Sequence, residues 1–70
     1  MTLAETMCLL YRNEINCGMS SFWDAGWHVW IGDHMNGHDA TEDFLDEHCD
    51  QIAPWLLSEA KRLYPEGKWT

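Results

Sequence analysis

Histidines and cysteines are the residues of this sequence best suited to bind a metal ion. The histidines are His28, His34, His38 and His48, and Cys49 follows the last of them directly. Zinc takes nitrogen, oxygen and sulfur ligands in tetrahedral geometry. The sequence has neither a C-x-x-C pair nor the H-E-x-x-H pattern of a zinc-binding helix. His34 and His38 supply only two ligands, so we expect polar turn residues there and no metal or cofactor. A metal-binding module is the least favoured alternative.

Nucleophilic catalysis would require a cysteine whose thiol is activated by a nearby base. We expect Cys8 to be a small core residue of a helix, and Cys17 lies at the end of that helix, where the helix dipole disfavours a thiolate. Acidic neighbours disfavour a thiolate at Cys49 as well. A general acid needs a desolvated cleft, and a chain of 70 residues has little volume for one beside its core. We therefore predict a protein that is not an enzyme and has no catalytic residues.

The charge of the sequence is strongly and unevenly acidic. The net charge is −8, and the 48 residues between Arg12 and Lys61 contain ten acidic residues and no Lys or Arg. DNA, RNA and anionic membranes attract basic side chains. We therefore expect neither direct nucleic-acid binding nor membrane binding. Two interpretations stay open: the acids only keep the protein soluble, or they meet a partner protein with a basic surface.

The first helix is predicted over residues 2–17. Apolar residues recur there at helical spacing, and Thr2 with Glu5 fits the capping box at a helix start. Gly18 is the predicted end, because glycine readily takes the left-handed conformation that follows many helices.

A second helix is predicted over residues 50–64. Asp50 is its expected N-cap, and Pro54 falls in its first turn, where proline is tolerated.

The segment 20–44 is predicted to form a β-hairpin. Its first strand, Trp27–Ile31, is aromatic and β-branched. Alternation places Trp27, Val29 and Ile31 toward the helices, and His28 and Trp30 on the opposite face. The return strand is expected near residues 38–44, and a helix that starts at Thr41 is the alternative.

These elements predict one α+β domain over residues 1–70. The order is helix, strand, strand, helix, with both helices packed on one face of a short antiparallel hairpin. The chain has an odd number of cysteines, and it shows no signal-peptide pattern and no apolar run of membrane-spanning length. We therefore expect a cytoplasmic protein.

An open sheet face that carries a tryptophan beside acids is typical of a protein-binding surface, because Trp is enriched among binding hot spots. The candidate partner-binding residues are Trp23, Trp30, Asp39, Glu42, Asp43, Asp46, Glu47 and Asp50.

In size, acidity and lack of catalytic residues the chain resembles phage-encoded inhibitors such as anti-CRISPR proteins. The resemblance is one of type, and no sequence motif carries it. It implies a non-catalytic inhibitor that occupies a basic nucleic-acid-binding surface of a larger complex. The alternative is a homodimeric structural or regulatory protein without such a target, which would use the same open sheet face.

Overall fold

Two helices and a three-stranded antiparallel sheet make up the part of the chain that the computed structural model describes, residues 1–32, 41–45 and 49–69. In chain order the elements are α1 (Leu3–Arg12), β1 (Cys17–Phe22), β2 (Gly26–Ile31), β3 (Thr41–Leu45) and α2 (Ile52–Leu63), with a 3-10 turn at Cys49–Gln51 directly before α2. The predicted α+β class and the helix-strand-strand-helix order are confirmed, and β1 is an additional strand.

Helix α1 begins with the predicted capping box. The Thr2 hydroxyl accepts a hydrogen bond from the Glu5 amide at 3.1 Å, and the Glu5 carboxylate accepts one from the Thr2 amide at 2.9 Å. The amide and the hydroxyl of Thr2 both lower the pKa of Glu5. The reciprocal pair satisfies two amides that have no partner inside the helix, which fixes the start of α1.

Helix α1 ends at Arg12, earlier than the predicted end at Gly18. The Ile15 amide donates to the Leu10 carbonyl at 3.1 Å, and the Glu14 amide donates to the Tyr11 carbonyl at 3.0 Å. This is the Schellman arrangement, and it places Glu14 in the left-handed region, with φ 59°. Ile15 and Leu10 are both buried in the core, so their burial favours this turn over five more residues of helix.

The sheet has the strand order β1-β2-β3, and both neighbouring pairs are antiparallel. The hairpin between β1 and β2 turns at residues 23–25, where the Ala25 amide donates to the Phe22 carbonyl at 2.9 Å. Gly26 follows with φ 100°, a conformation that glycine takes without a steric penalty. Three-residue hairpin loops commonly combine such a turn with a left-handed glycine.

The core lies between the sheet and the helices. Its buried apolar residues are Leu10, Ile15, Val29, Ile31, Ile52, Leu56 and Ala60. Trp27 packs against this cluster and is half-buried. The predicted inward face of the first hairpin strand, Trp27, Val29 and Ile31, is therefore confirmed.

Helix α2 occupies most of its predicted range. Its N-cap is Gln51, which makes no side-chain capping hydrogen bond. Asp50, the expected N-cap, instead lies inside the 3-10 turn and is exposed. The predicted return strand is observed as β3, so the alternative of a helix starting at Thr41 is wrong, and residues 38–40 lie outside the described residues.

The C-terminal segment after α2 is attached to the end of α1. The Asn13 side chain accepts a hydrogen bond from the Lys68 amide at 2.8 Å and donates one to the Lys68 carbonyl at 3.4 Å. Next to it, the Trp69 indole donates to the Tyr64 carbonyl at 2.9 Å and packs against the core. The carboxyl ends of both helices therefore lie at the same end of the molecule.

Candidate partner-binding surface

The sheet face turned away from the helices, called here the outer face, carries the candidate site. Side chains alternate along strands, and the register places Trp30 between Gly18 on β1 and Glu42 on β3. The residues whose side chains or glycine positions are described on this face are Gly18, Ser20, Phe22, Gly26, His28, Trp30 and Glu42. They lie opposite the inward-facing Val29 and Ile31, so the fold itself brings them together.

Trp30 is held against the outer face by the glycine beside it. A Cβ built on Gly18 would stand only 2.6 Å from Cζ2 and Nε1 of Trp30. The indole therefore lies flat on the backbone of β1, in space that any other residue at position 18 would fill. Trp30 is half-buried in this position. Because the Trp30 side chain is already fixed, it loses little conformational entropy when a partner binds to its surface.

His28 and Glu42 form the polar part of the outer face. Nε2 of His28 lies 2.9 Å from Oε2 of Glu42. The two residues are diagonal in the register, since His28 faces Phe44 and Glu42 faces Trp30. The Glu42 side chain is 70% exposed, and that of His28 is 25% exposed. The carboxylate therefore keeps most of its contact with solvent and can also meet a cation of a partner.

Positive and negative charges are separated in the described structure. None of the residues of β1, β2 or β3 is Lys or Arg. The basic residues lie in the last turns of the helices and in the C-terminal segment: Arg12, Lys61, Arg62 and Lys68. Arg62 is also paired with Glu59 through two hydrogen bonds of 2.8 and 3.0 Å. A partner protein with a basic surface that docks on the sheet would therefore meet no Lys or Arg in the described strands.

Trp23 lies apart from the outer face. It occupies the tip of the β1–β2 hairpin, and its side chain is 98% exposed. Trp30 lies toward the other end of β2, about 13 Å further along the strand at the usual rise per residue. The two tryptophans predicted to bind a partner therefore belong to different surfaces of the molecule.

The remaining predicted site residues are divided between surfaces. Glu42 shares the outer face with Trp30, whereas Asp43 is paired with Val29 and so points to the other side of β3, where it is exposed. Asp50 is exposed in the 3-10 turn. The predictions for Asp39, Asp46 and Glu47 lie outside the described residues.

The described cysteines differ from their predicted surroundings in one case. Cys8 is exposed on α1, so its prediction as a core residue is wrong, because the buried side of α1 is formed by Thr6 and Leu10. Cys17 is half-buried on β1, its Sγ lies 3.8 Å from Sδ of Met7, and burial raises the pKa of its thiol. A raised thiol pKa is opposite to what a nucleophile needs.

Across residues 1–32, 41–45 and 49–69, no three His, Cys, Asp or Glu side chains come together in a way that could hold a metal ion. His34, His38 and His48 lie outside those ranges, so the expectation that His34 and His38 are polar turn residues stays a prediction.

Two residues of interest were not selected from the sequence. His28 was placed on the outer face by alternation, but its pairing with Glu42 follows from the register between β2 and β3. Tyr11, one of the apolar residues spaced along the predicted first helix, is 83% exposed. It lies in the last turn of α1, beside an open cleft.

Comparison with known proteins gives no relative: no protein-family model, no curated protein and no solved structure matches the chain. In the part of the chain that is described, no helix has the length and apolar character needed to cross a membrane.

Proposed function

We propose that the chain is a small, acidic, non-catalytic protein-binding module. Its outer face would dock on a basic nucleic-acid-binding surface of a larger complex and exclude the nucleic acid, as phage-encoded inhibitors such as anti-CRISPR proteins do. The observation that carries the proposal is the outer face, where Trp30 lies fixed on Gly18 beside the exposed carboxylate of Glu42.

The distribution of charge supports a basic partner. Acids predominate between Arg12 and Lys61, and the described strands contain no Lys or Arg. Opposite charges across an interface raise the association rate and select the partner. A half-buried tryptophan next to these acids supplies the apolar contact that charge alone lacks, since aromatic residues dominate the binding energy of most interfaces.

The test is capture of a partner followed by competition. The immobilised full chain is exposed to a nuclease-treated lysate of the source organism, and each captured protein is purified and titrated at low and high salt. We expect a nucleic-acid-binding protein that is released by added duplex DNA or RNA and binds more weakly as salt rises. A captured protein that binds equally well with and without competing nucleic acid would contradict the proposal.

Substitution of the acids identifies the surface. Glu42→Gln should slow association and flatten the salt dependence, because it removes the exposed charge beside Trp30 on the outer face. The matched control is Glu66→Gln, which changes the net charge equally at an exposed position outside the sheet. Equal effects of both variants would show that only the net charge matters, and the outer face would lose its role.

A further inference from the structure

The outward edge of β1 is chemically different from the outward edge of β3. The β1 sequence, CGMSSF, has no charged residue and no proline, whereas β3 carries Glu42 and Asp43. Charged side chains and prolines are the usual means of preventing an edge strand from pairing with another chain. In a protein with a net charge of −8, β1 is therefore the edge that another strand can approach without meeting charge.

The backbone of β1 offers hydrogen bonds along that edge. The Gly32 amide donates to the Asn16 carbonyl at 2.9 Å, so the bonded pairs of the antiparallel ladder fall on even-numbered residues of β1. The amides and carbonyls of Cys17, Met19 and Ser21 then point away from β2. Among the described residues, no backbone hydrogen bond to another segment uses these groups.

Two exposed aromatic residues flank this edge. Trp23 follows β1 directly and is 98% exposed, and Tyr11, which precedes β1 at the end of α1, is 83% exposed. Full exposure of a tryptophan leaves most of its apolar surface in water, at a cost of roughly 25 cal/mol per Å² relative to burial. Both residues therefore gain if β1 pairs with a strand that covers them.

A cleft lies at the start of β1, where α1 ends. Its lining residues are Tyr11, Arg12, Glu14, Ile15 and Asn16, and its volume is about 590 Å³. It is open to solvent, and it combines an aromatic ring, a guanidinium group and an apolar floor at Ile15. These are the groups that hold an indole, through stacking and a cation–π contact.

We propose that the chain forms a two-fold symmetric dimer through the edges of β1, and that Trp23 of each copy enters the cleft of the other. In an antiparallel pairing centred on Met19, Cys17 of one copy faces Ser21 of the other. Two residues further along, Trp23 faces Ile15 of the other copy, which is part of the cleft. One register thus satisfies the free backbone groups of the edge and buries both exposed aromatic residues.

The occupant is a second copy because the cleft directly precedes β1 and Trp23 directly follows it, so a two-fold axis at Met19 brings Trp23 of one copy to the cleft of the other. The strand itself brings no charged side chain into the pairing of two chains that each carry a net charge of −8. The two three-stranded sheets would join into one six-stranded sheet. This inference does not rest on the proposed function, and the dimer leaves the outer face of each copy open.

The first measurement is the molar mass of the full chain in solution by sedimentation equilibrium. We expect a dimer that becomes tighter as salt rises, because salt screens the repulsion between the two acidic chains. Trp23→Ala and Tyr11→Ala should each weaken dimerisation at least about tenfold, whereas Ser58→Ala, an exposed control on α2, should not. Circular dichroism checks that each variant keeps its fold.

Mixing the Trp23→Ala and Tyr11→Ala variants tests directly whether Trp23 of one copy enters the cleft of the other. A dimer of one Trp23→Ala chain and one Tyr11→Ala chain retains one complete Trp23–cleft contact and loses the other entirely. Each variant alone retains two incomplete contacts. We therefore expect the mixture to form a heterodimer more tightly than either variant forms a homodimer. A mixture that associates no better than the separate variants overturns the proposed contact.

The edge is tested by two further variants. Ser21→Pro removes an outward amide that β2 does not use, and Ser20→Glu adds an exposed charge close to the two-fold axis. Both should shift the protein to the monomer, and Ser20→Glu gives the answer if the proline variant unfolds. A wild-type chain that stays monomeric at all concentrations, or a dimer that Ser20→Glu leaves intact, overturns the inference. Neither outcome affects capture of a basic partner, so the two proposals fail separately.

Discussion

The indole of Trp30 lies on the backbone of Gly18 in the neighbouring strand, with ring atoms only 2.6 Å from the place that a Cβ at position 18 would take. Glycine is usually unfavourable inside a strand. Here the cost is offset, because the missing side chain makes room for an indole that covers the strand. The position of Trp30 on the outer face is therefore set by the residue across from it.

Substitution of Gly18 tests whether the position of the Trp30 indole depends on the glycine across from it. Gly18→Ala forces the indole off the strand, and overpacking of this kind lowers the free energy of unfolding by about 1–3 kcal/mol. In the Trp30→Ala background the same substitution should cost much less, so a double-mutant cycle measured by urea denaturation gives the coupling. Ser20→Ala, on the same face of β1, is the control and should change little. Equal costs of Gly18→Ala in both backgrounds would contradict the packing described.

The two tryptophans of β2 should contribute differently to stability. Trp27 packs against the buried core, whereas Trp30 lies on the outer face. Trp27→Ala should therefore lower the free energy of unfolding by about 3 kcal/mol, near the lower end for emptying a large buried site, because Trp27 is only half-buried. Trp30→Ala should cost less stability and should weaken partner binding. Thermal melts of both variants decide this, and equal destabilisation would contradict the assignment of faces.

The left-handed residue at the end of α1 predicts a stabilising substitution. Glu14 has φ 59°, which costs a residue with a Cβ about 1–2 kcal/mol. Glu14→Gly should raise the melting temperature, with part of the gain lost to the greater freedom of glycine in the unfolded chain. Glu14→Ala removes the same charge but keeps the Cβ, and so should give no comparable gain. If both variants melt alike, charge and not backbone strain is responsible.

The ion pair on α2 predicts a dependence of stability on pH. Hydrogen bonds from Arg62 hold the pKa of Glu59 below its ordinary value of 4.5. A carboxyl group whose pKa is lowered by folding stabilises the fold above that ordinary value, and the stabilisation is lost as pH falls through the lowered pKa. Arg62 is more than half exposed, so solvent screening limits the effect.

Glu59→Gln should therefore lower stability at pH 7 by about 0.5 kcal/mol, the usual size for a pair three residues apart on a helix. The difference from the wild type should disappear as pH falls through the lowered pKa of Glu59, because the protonated carboxyl group is then neutral like glutamine. Urea denaturation at pH 7 and across the acid range measures it, with Glu66→Gln as the control. A difference that persists at low pH would mean that packing, and not charge, is lost.

The sequence predicted those parts of the fold in which the local pattern and the burial of side chains agree. The capping box of α1, the inward residues of β2 and most of the range of α2 follow from local sequence, because each is decided within one element. The end of α1 could not be predicted in the same way, since Glu14 takes a conformation that usually favours glycine. The burial of Ile15, which is a tertiary effect, decides it.

Strand β1 shows a second limit of sequence patterns. Its residues, CGMSSF, neither alternate in polarity nor favour strands. They become a strand because β2 supplies hydrogen bonds and Trp30 covers Gly18. The candidate site could likewise be predicted only in part. Alternation along β2 identifies the face that carries Trp30. The pairing of the strands is needed to show that Glu42 lies beside Trp30 and that Trp23 lies elsewhere.

The attachment of the C-terminal segment has a consequence for local unfolding. One carboxamide, that of Asn13, engages both backbone groups of Lys68, and the Trp69 indole closes over Gly67 beside it. These hydrogen bonds, with that of the Trp69 indole to Tyr64, hold the segment to the ends of the helices and not to the sheet strands, so it can open locally while the sheet stays folded. The exchange rates of the Lys68 amide and the Trp69 indole proton would then report how often the end of α1 opens, independently of global unfolding.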